Sequence, residues 1–249
     1  MKEGETGQGS GTRSLDPSIP VRLVCGAGAA LDAVASFAEK EGLVGVEFLA
    51  GIPGTVGGGL HSNAGAFGRS LGDVITSVTV MDQEGHEQVL TGNQLHREYR
   101  RPMLEPGLIA VEATMELQAG KPEPGAAIRE ERWSKHPTEP SAGSFFRNPE
   151  TKDGERIPAG KLIEQCGLKG KAIGGAKVSE KHANFLVNAG GARFVDVYQL
   201  VQVVKATVEE KTGILLEEEV QYLPGPGEFR IPDSEGRRQK SRSGAADGS

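Results

Sequence analysis

Between residues 51 and 68 the chain reads GIPGTVGGGLHSNAGAFG, seven glycines in eighteen positions and no charged residue. Glycine loses more conformational freedom on folding than any other residue, so a run this dense needs a structural reason. Either it is a flexible linker, or its backbone has to approach something closely, most often phosphate. Ile52, Val56, Leu60 and Phe67 stand where a solvated linker would carry serine or glutamate, which favours the second reading. Pro53 fixes one dihedral, while Gly57, Gly58 and Gly59 would let amide groups converge on an anion with no side chains in the way. The plainer alternative is a tight turn between buried strands.

The remainder of the chain narrows the choice of function. Its 249 residues suffice for one large or two ordinary domains; 37% are hydrophobic, and the net charge is −6. Such a balance gives no sequence-independent grip on nucleic acid or an acidic membrane. No apolar run reaches the length of a membrane span, and the start lacks the apolar core of a signal peptide, so a cytoplasmic protein is expected. Cys25 and Cys166 lie far apart in apolar patterns and read as buried free thiols. The five histidines show no metal-ligand spacing, no Walker-type loop is present, and CGAGAAL lacks the third glycine of a dinucleotide fingerprint.

Mixed helix and strand signals fill the middle. VRLVCGAG reads as a short buried strand, followed by a helix with Leu31, Val34, Ala35 and Ala38 on one face and Gly42 as its stop. DVITSVTVMD and EQVL, joined through QEGH, read as a hairpin. In LIAVEATMEL, Ile109, Val111, Ala113, Met115 and Leu117 alternate as the buried face of a strand. QAGKPEPG then breaks the pattern. Beyond it, Val197, Leu200, Val201, Val204 and Val208 share a face of a helix that ends at Gly213, and ILLEEEVQYL reads as a strand. Both ends of the chain are polar and rich in Gly and Ser, and are expected to be disordered.

Two further runs stand out. PSAGSFFRNP presents Ser144 between a glycine and two phenylalanines, with Arg147 and Asn148 next. GLKGKAIGGAKVSEKHANFLVN interleaves glycines with lysines, and residues 147–181 hold eight Lys or Arg against five Asp or Glu. That excess is either a seat for a diphosphate or a solvated face.

Taken in order, LAGIPGTVGGGLHSNAGAFG, REYR, PSAGSFFRNP, LIEQCGLKGKAIGGAKVSEKHANFLVN and LLEEEV resemble the UDP-N-acetylenolpyruvoylglucosamine reductases, over about residues 21–224. The resemblance implies an α+β chain: a partial vanillyl-alcohol-oxidase-type FAD-binding domain at 20–118, then an α+β substrate-binding domain at 119–224. Residues 1–19 and 225–249 would be disordered. The short link suggests the form of the family without a substrate-covering insertion. No counterpart is found before residue 20 for the family's first flavin-domain half, with its GSN-containing loop.

The implied reaction is FAD-dependent, NADPH-driven reduction of UDP-N-acetylglucosamine enolpyruvate to UDP-N-acetylmuramate in peptidoglycan synthesis, by a cytoplasmic monomer. By motif, Arg100 would hold the substrate carboxylate, Glu219 would assist at the developing enolate, and Ser144 would donate the proton. Glu217 shares a strand face with Glu219, and only the resemblance selects Glu219. Pro102 stands where the family carries a serine after the arginine. The glycine run would supply the FAD contacts, through Gly51, Ile52, Pro53, Gly54, Thr55, Gly57, Gly58, Asn63, Ala64 and Gly65. Tyr99, Lys135 and Asn148 would meet the substrate. A truncated, non-catalytic UDP-sugar-binding module is the alternative; another oxidase of the same flavin fold is disfavoured by GSFFRNP and SEKHANF.

Overall fold

β-Branched alternation builds the first half of the molecule, and the computed structural model, which describes residues 16–151 and 154–223, shows how. Its elements are β1 (Val21–Gly26), α1 (Leu31–Lys40), β2 (Leu43–Val44), α2 (Val56–Ser62), β3 (Gly65–Ala66), β4 (Arg69–Ser70), β5 (Ile75–Met81), β6 (Glu87–Thr91), β7 (Ile109–Ala119) and α3 (Gly125–Lys135). The antiparallel order is β1-β7-β5-β6, with β2 pairing beside the far end of β7. Helix α1 buries Leu31, Val34, Ala35 and Ala38. It ends before Gly42, whose φ of +67° suits a residue without a Cβ. Asp82 accepts the amides of Glu84 and His86 and closes the β5–β6 turn.

Two strand expectations in this half need correction. VRLVCGAG is not buried throughout: β1 forms the sheet edge, and Val24 is 53% exposed. In β7 the alternation fails at its first turn of pleat. Thr79 pairs with Glu112 but Val80 with Ala110, so Val111 is an extra residue. A bulge of this kind moves the following side chains to the opposite face. Ala110 therefore packs against the core, while Ile109 is 66% exposed and Val111 also faces water.

The second half contains β8 (Ser141–Ser144), α4 (Ala159–Gln165), β9 (Ala172–Ile173), β10 (Ala176–Val178), β11 (Phe185–Asn188) and α5 (Phe194–Thr212). Its antiparallel sheet has the order β8-β11-β10-β9. Helix α5 covers this sheet with Leu200, Val201, Val204 and Val208, all fully buried, each worth about 1.5–3 kcal/mol over exposure. Gly213 caps it in the left-handed conformation. ILLEEEVQYL does not become a ladder strand. It has one bridge, Phe146 to Glu218, because only three residues beyond β8 run beside it.

Apolar side chains collect into two cores, one from Cys25 to Ile128 and one from Phe145 to Leu216. Helix α3 follows the Gly/Pro break yet gives Ile128 to the first core. Arg129 Nε donates to Asp32 Oδ1 at 2.7 Å, and Arg132 donates to the carbonyls of Phe48 and Ala50 at 3.1 Å. Both cysteines are buried and free. The disorder expected of 1–19 and 225–249 lies outside the described residues, apart from 16–19, where Asp16 accepts the Ser18 amide at 2.8 Å.

Candidate active site

The glycine run winds into α2, a poor helix by composition that its surroundings hold in place. Thr55 caps it, with Oγ1 accepting the Gly58 amide at 3.3 Å. The three consecutive glycines answer three different neighbours. A Cβ on Gly57 would lie 3.2 Å from the backbone of Ala27, and one on Gly59 only 2.7 Å from Leu71 Cδ1. A Cβ on Gly58 would meet nothing nearer than Thr55 Oγ1, at 3.6 Å.

The expected convergence of these glycine amides does not form. Val56 and Gly57 donate instead to the carbonyls of Ala29 and Ala27, at 2.8 Å, and Gly59 donates to Thr55. Helix formation against the 27–29 loop consumes them. At the mouth of the run, the amides of Gly54 and Thr55 have no protein partner among the described residues. At Gly65 a Cβ would fall 2.2 Å from the Arg69 carbonyl, so the β3–β4 pairing excludes any side chain there.

Asn63 closes α2 with φ +44° and is 3% exposed. Its Nδ2 donates to the carbonyls of Arg97 and Glu98 at 3.0 and 3.2 Å, and its Oδ1 accepts the Gly72 amide at 2.8 Å. Its side chain is thereby committed to the fold. It fastens the loop that carries Arg100 beneath the helix.

A cleft of about 540 Å³ separates the glycine run from the second half. Ile52, Pro53, Gly54 and Gly58, with Ala64 and Gly65, line one side; Arg100, Ser144 and Glu219 line the other. These last three come from the loop before Pro102, the end of β8 and the extended segment 214–220. Arg100 has a left-handed φ of +55°, unusual for a residue with a Cβ, and Pro102 restricts the backbone just after it. Its Nε sits 3.2 Å from Glu219 Oε1, close enough for an ion pair but without hydrogen-bond alignment. Burial pushes the Glu219 carboxyl above the usual glutamate range, against the pull of Arg100 and Arg147. Ser144 is half-buried, and its hydroxyl has no partner among the described residues.

His136, at the end of α3, also lines the cleft, 4.9 Å from the Phe185 ring. Burial lowers its pKa to about 4, helped by His182, Arg132, Lys181 and Lys135, so it is neutral at pH 7. A second cleft, of about 870 Å³, opens beside α2 along Gly57, His61 and Ile109 and holds none of the three polar residues.

The other expected residues stand elsewhere. Gly51 donates its amide to Asp32 Oδ1 at 2.7 Å. Tyr99 is 38% exposed, with the Arg156 guanidinium 4.1 Å from its ring. Lys135 pairs with Glu131 on the outer face of α3 at 2.5 Å. Asn148 Oδ1 accepts the Ala159 amide at 2.9 Å and so anchors the start of α4. In the basic run, Lys169 pairs with Glu164 and Lys181 donates to the Trp133 carbonyl, both at 2.7 Å. His136 and Arg147 were not singled out by sequence; Arg147 lay inside a quoted motif, and nothing in the pattern marked His136.

The bare surface of Gly58 and the two unpaired amides suit a diphosphate-bearing ligand, which needs donors unscreened by side chains. Consistent with this, residues 11–91 match the family model of an FAD binding domain. The chain is therefore an FAD-binding protein of α+β build, with a separate C-terminal unit. Residues 135–223 match the C-terminal domain of UDP-N-acetylenolpyruvoylglucosamine reductase. Reductases of that name from Syntrophus aciditrophicus and Geotalea uraniireducens are 42% and 45% identical, over 85% and 81% of this chain and 68% and 67% of theirs. The crystal structure of the Thermus caldophilus reductase superposes with a TM-score of 0.67 at 34% identity, covering 80% of this chain and 71% of that one. This chain belongs to the UDP-N-acetylenolpyruvoylglucosamine reductase family.

Proposed function

We propose that the chain reduces UDP-N-acetylglucosamine enolpyruvate to UDP-N-acetylmuramate, with FAD and NADPH, as a cytoplasmic monomer serving peptidoglycan synthesis. The observation that carries this reading is the single cleft in which the glycine run faces Arg100, Glu219 and Ser144. FAD, when bound, supplies the hydride for the enolpyruvyl methylene, having taken it from NADPH. The Gly54 and Thr55 amides and the open face of Gly58 would hold its diphosphate. Ile52, Pro53, Ala64 and Gly65 would wall the site, while Gly51, Gly57 and Asn63 brace the run from behind.

Arg100 binds the substrate carboxylate, whose conjugated carbon gathers negative charge as the methylene is reduced. Glu219, whose carboxyl burial shifts above the usual glutamate range, hydrogen-bonds to the enolate oxygens as that charge grows. Ser144 Oγ then gives its proton to the carbon bearing the carboxylate. A serine hydroxyl is too weak an acid for most acceptors, but a carbanionic centre shielded from water is a strong enough base. Lys135 and Asn148, outside the cleft wall, are proposed ligands of the UDP part, and Tyr99 a neighbour of the flavin or the substrate, on the motif alone.

The test is the visible spectrum of the purified chain with FAD. A bound-flavin spectrum that bleaches with NADPH and recovers on adding the enolpyruvyl sugar nucleotide supports the reaction. A colourless protein that binds only the UDP-sugar would replace it with the binding-module reading.

A further inference from the structure

The segment opposite Glu219 carries a second guanidinium that the reaction above does not use. Phe146 and Glu218 form a bridge, flanked by two hydrogen bonds of 2.9 Å, from the Arg147 amide to the Glu217 carbonyl and from the Glu219 amide to the Phe145 carbonyl. Side chains alternate along such segments, so Arg147 and Glu219 leave on the same face. They are diagonal neighbours, a spacing that long side chains cross. Glu218 leaves on the other face and meets Lys205 at 2.9 Å.

Arg147 Nε is buried and has no hydrogen-bond partner, and the same is true of Arg100 Nε. Two guanidiniums thus approach one carboxyl group from different elements: Arg100 from the loop before Pro102 and Arg147 from the segment after β8. The other charged or titratable groups nearby are occupied or distant in charge. Glu217 is exposed, Arg132 is tied to backbone carbonyls, and His136 is neutral. A carboxylate has acceptor sites enough for two guanidiniums, and a substrate carboxylate bound by Arg100, as proposed above, would leave Arg147 as the remaining cation beside Glu219.

We propose that Arg147 is the positioning residue of Glu219, the cation that keeps this carboxyl in place when the substrate carboxylate takes over Arg100. The proposal rests on Glu219 serving the site as argued above. It acts on Glu219 as a nearby charge across the diagonal of the bridge, and no contact with substrate is required of it.

The experiment titrates Glu219 itself, in protein labelled with ¹³C at the glutamate carboxyls and without cofactor or substrate. The resonance is assigned by its loss in Glu219→Gln. Arg147→Met should move the Glu219 midpoint upward by about one pH unit, as expected for removing a cation several ångströms away in a partly buried site. Arg147→Lys should return most of that shift. In an Arg100→Met background, which imitates the loss of Arg100 to substrate, removing Arg147 should produce a larger shift than in the wild type. Arg147→Gln keeps length and polarity and carries the same comparison if the methionine variant does not fold. A Glu219 midpoint unmoved in both Arg147→Met and Arg147→Gln overturns the proposal. The spectral test can fail while this titration succeeds, and the reverse, so the two readings fall separately.

Discussion

Gly58 lies in the first turn of α2, where a methyl group would meet only Thr55 Oγ1 at 3.6 Å and would otherwise stand over the cleft. In Gly58→Ala the unfolded chain loses freedom and the helix gains a better former. A helix interior would gain about 0.8–1 kcal/mol; this end position should give about 0.5–1 kcal/mol. For a chain of this size that raises Tm by about 1–4 °C. The same methyl covers the bare surface assigned to the FAD diphosphate, so cofactor affinity should fall about tenfold or more, roughly 1.4 kcal/mol. Gly59→Ala provides the contrast. Its Cβ would stand 2.7 Å from Leu71 Cδ1 and 3.3 Å from Leu31, both fully buried. Overpacking of that kind costs about 1–3 kcal/mol, outweighing the helical gain, and Tm should fall. The assay pairs thermal unfolding of the cofactor-free proteins with FAD titration followed by flavin fluorescence. A Gly58→Ala protein that melts lower than wild type would refute the open-space argument. One that melts higher yet binds FAD unchanged would show that Gly58 does not face the cofactor.

Three other outcomes are expected. Ser144→Ala should keep flavin reduction by NADPH while product formation drops by about 10²–10⁴-fold; equal loss in both half-reactions would remove Ser144 as proton donor. Asn63→Ala abandons three hydrogen bonds and places a Cβ-bearing, non-bonding residue at φ +44°, so urea unfolding should show a loss of about 2–4 kcal/mol, with Asn63→Gly recovering only the backbone share. His136 has a pKa of about 4 against 6.5 for the free side chain. Between these values the unfolded chain takes up the extra proton, so stability should decline as pH drops from about 6.5 to 4. Because the ring is half-exposed, the decline should be only on the order of 1 kcal/mol. His136→Gln should flatten that part of a urea-unfolding series, and an unchanged slope would assign the acid sensitivity elsewhere.

Legibility in the sequence followed the range of the interaction. The faces of α1 and α5 were readable because a helix writes its buried stripe into its own spacing, and Gly42 and Gly213 mark their ends. The outer end of β7 was not, because a bulge is a relation between two strands and leaves no trace in the period of either. Helix α2 was hidden by its composition, since VGGGLHS forms a helix only with Thr55 as cap and the 27–29 loop receiving its first amides. Strands of two to four residues, as in β8–β11, are too short to show a period. Motifs named Arg100, Ser144 and Glu219, but nothing local could bring together residues so far apart in the chain. Their meeting at one cleft depends on the fastening of the 97–98 loop by Asn63 and on the bridge at Glu218.

The arginines of α3 also bear on where the molecule can be divided. Composition suggests cutting at the Gly/Pro break before residue 125. A C-terminal piece begun there would carry Ile128, Arg129 and Arg132 away from the core, the aspartate and the carbonyls they engage. It would expose an apolar and cationic helix face to solvent, while the N-terminal piece would keep Asp32 and the Phe48 and Ala50 carbonyls with nothing to meet them. For expressing either half alone, a cut after α3 would keep these contacts with the first core, whereas a cut at the break in composition would lose them.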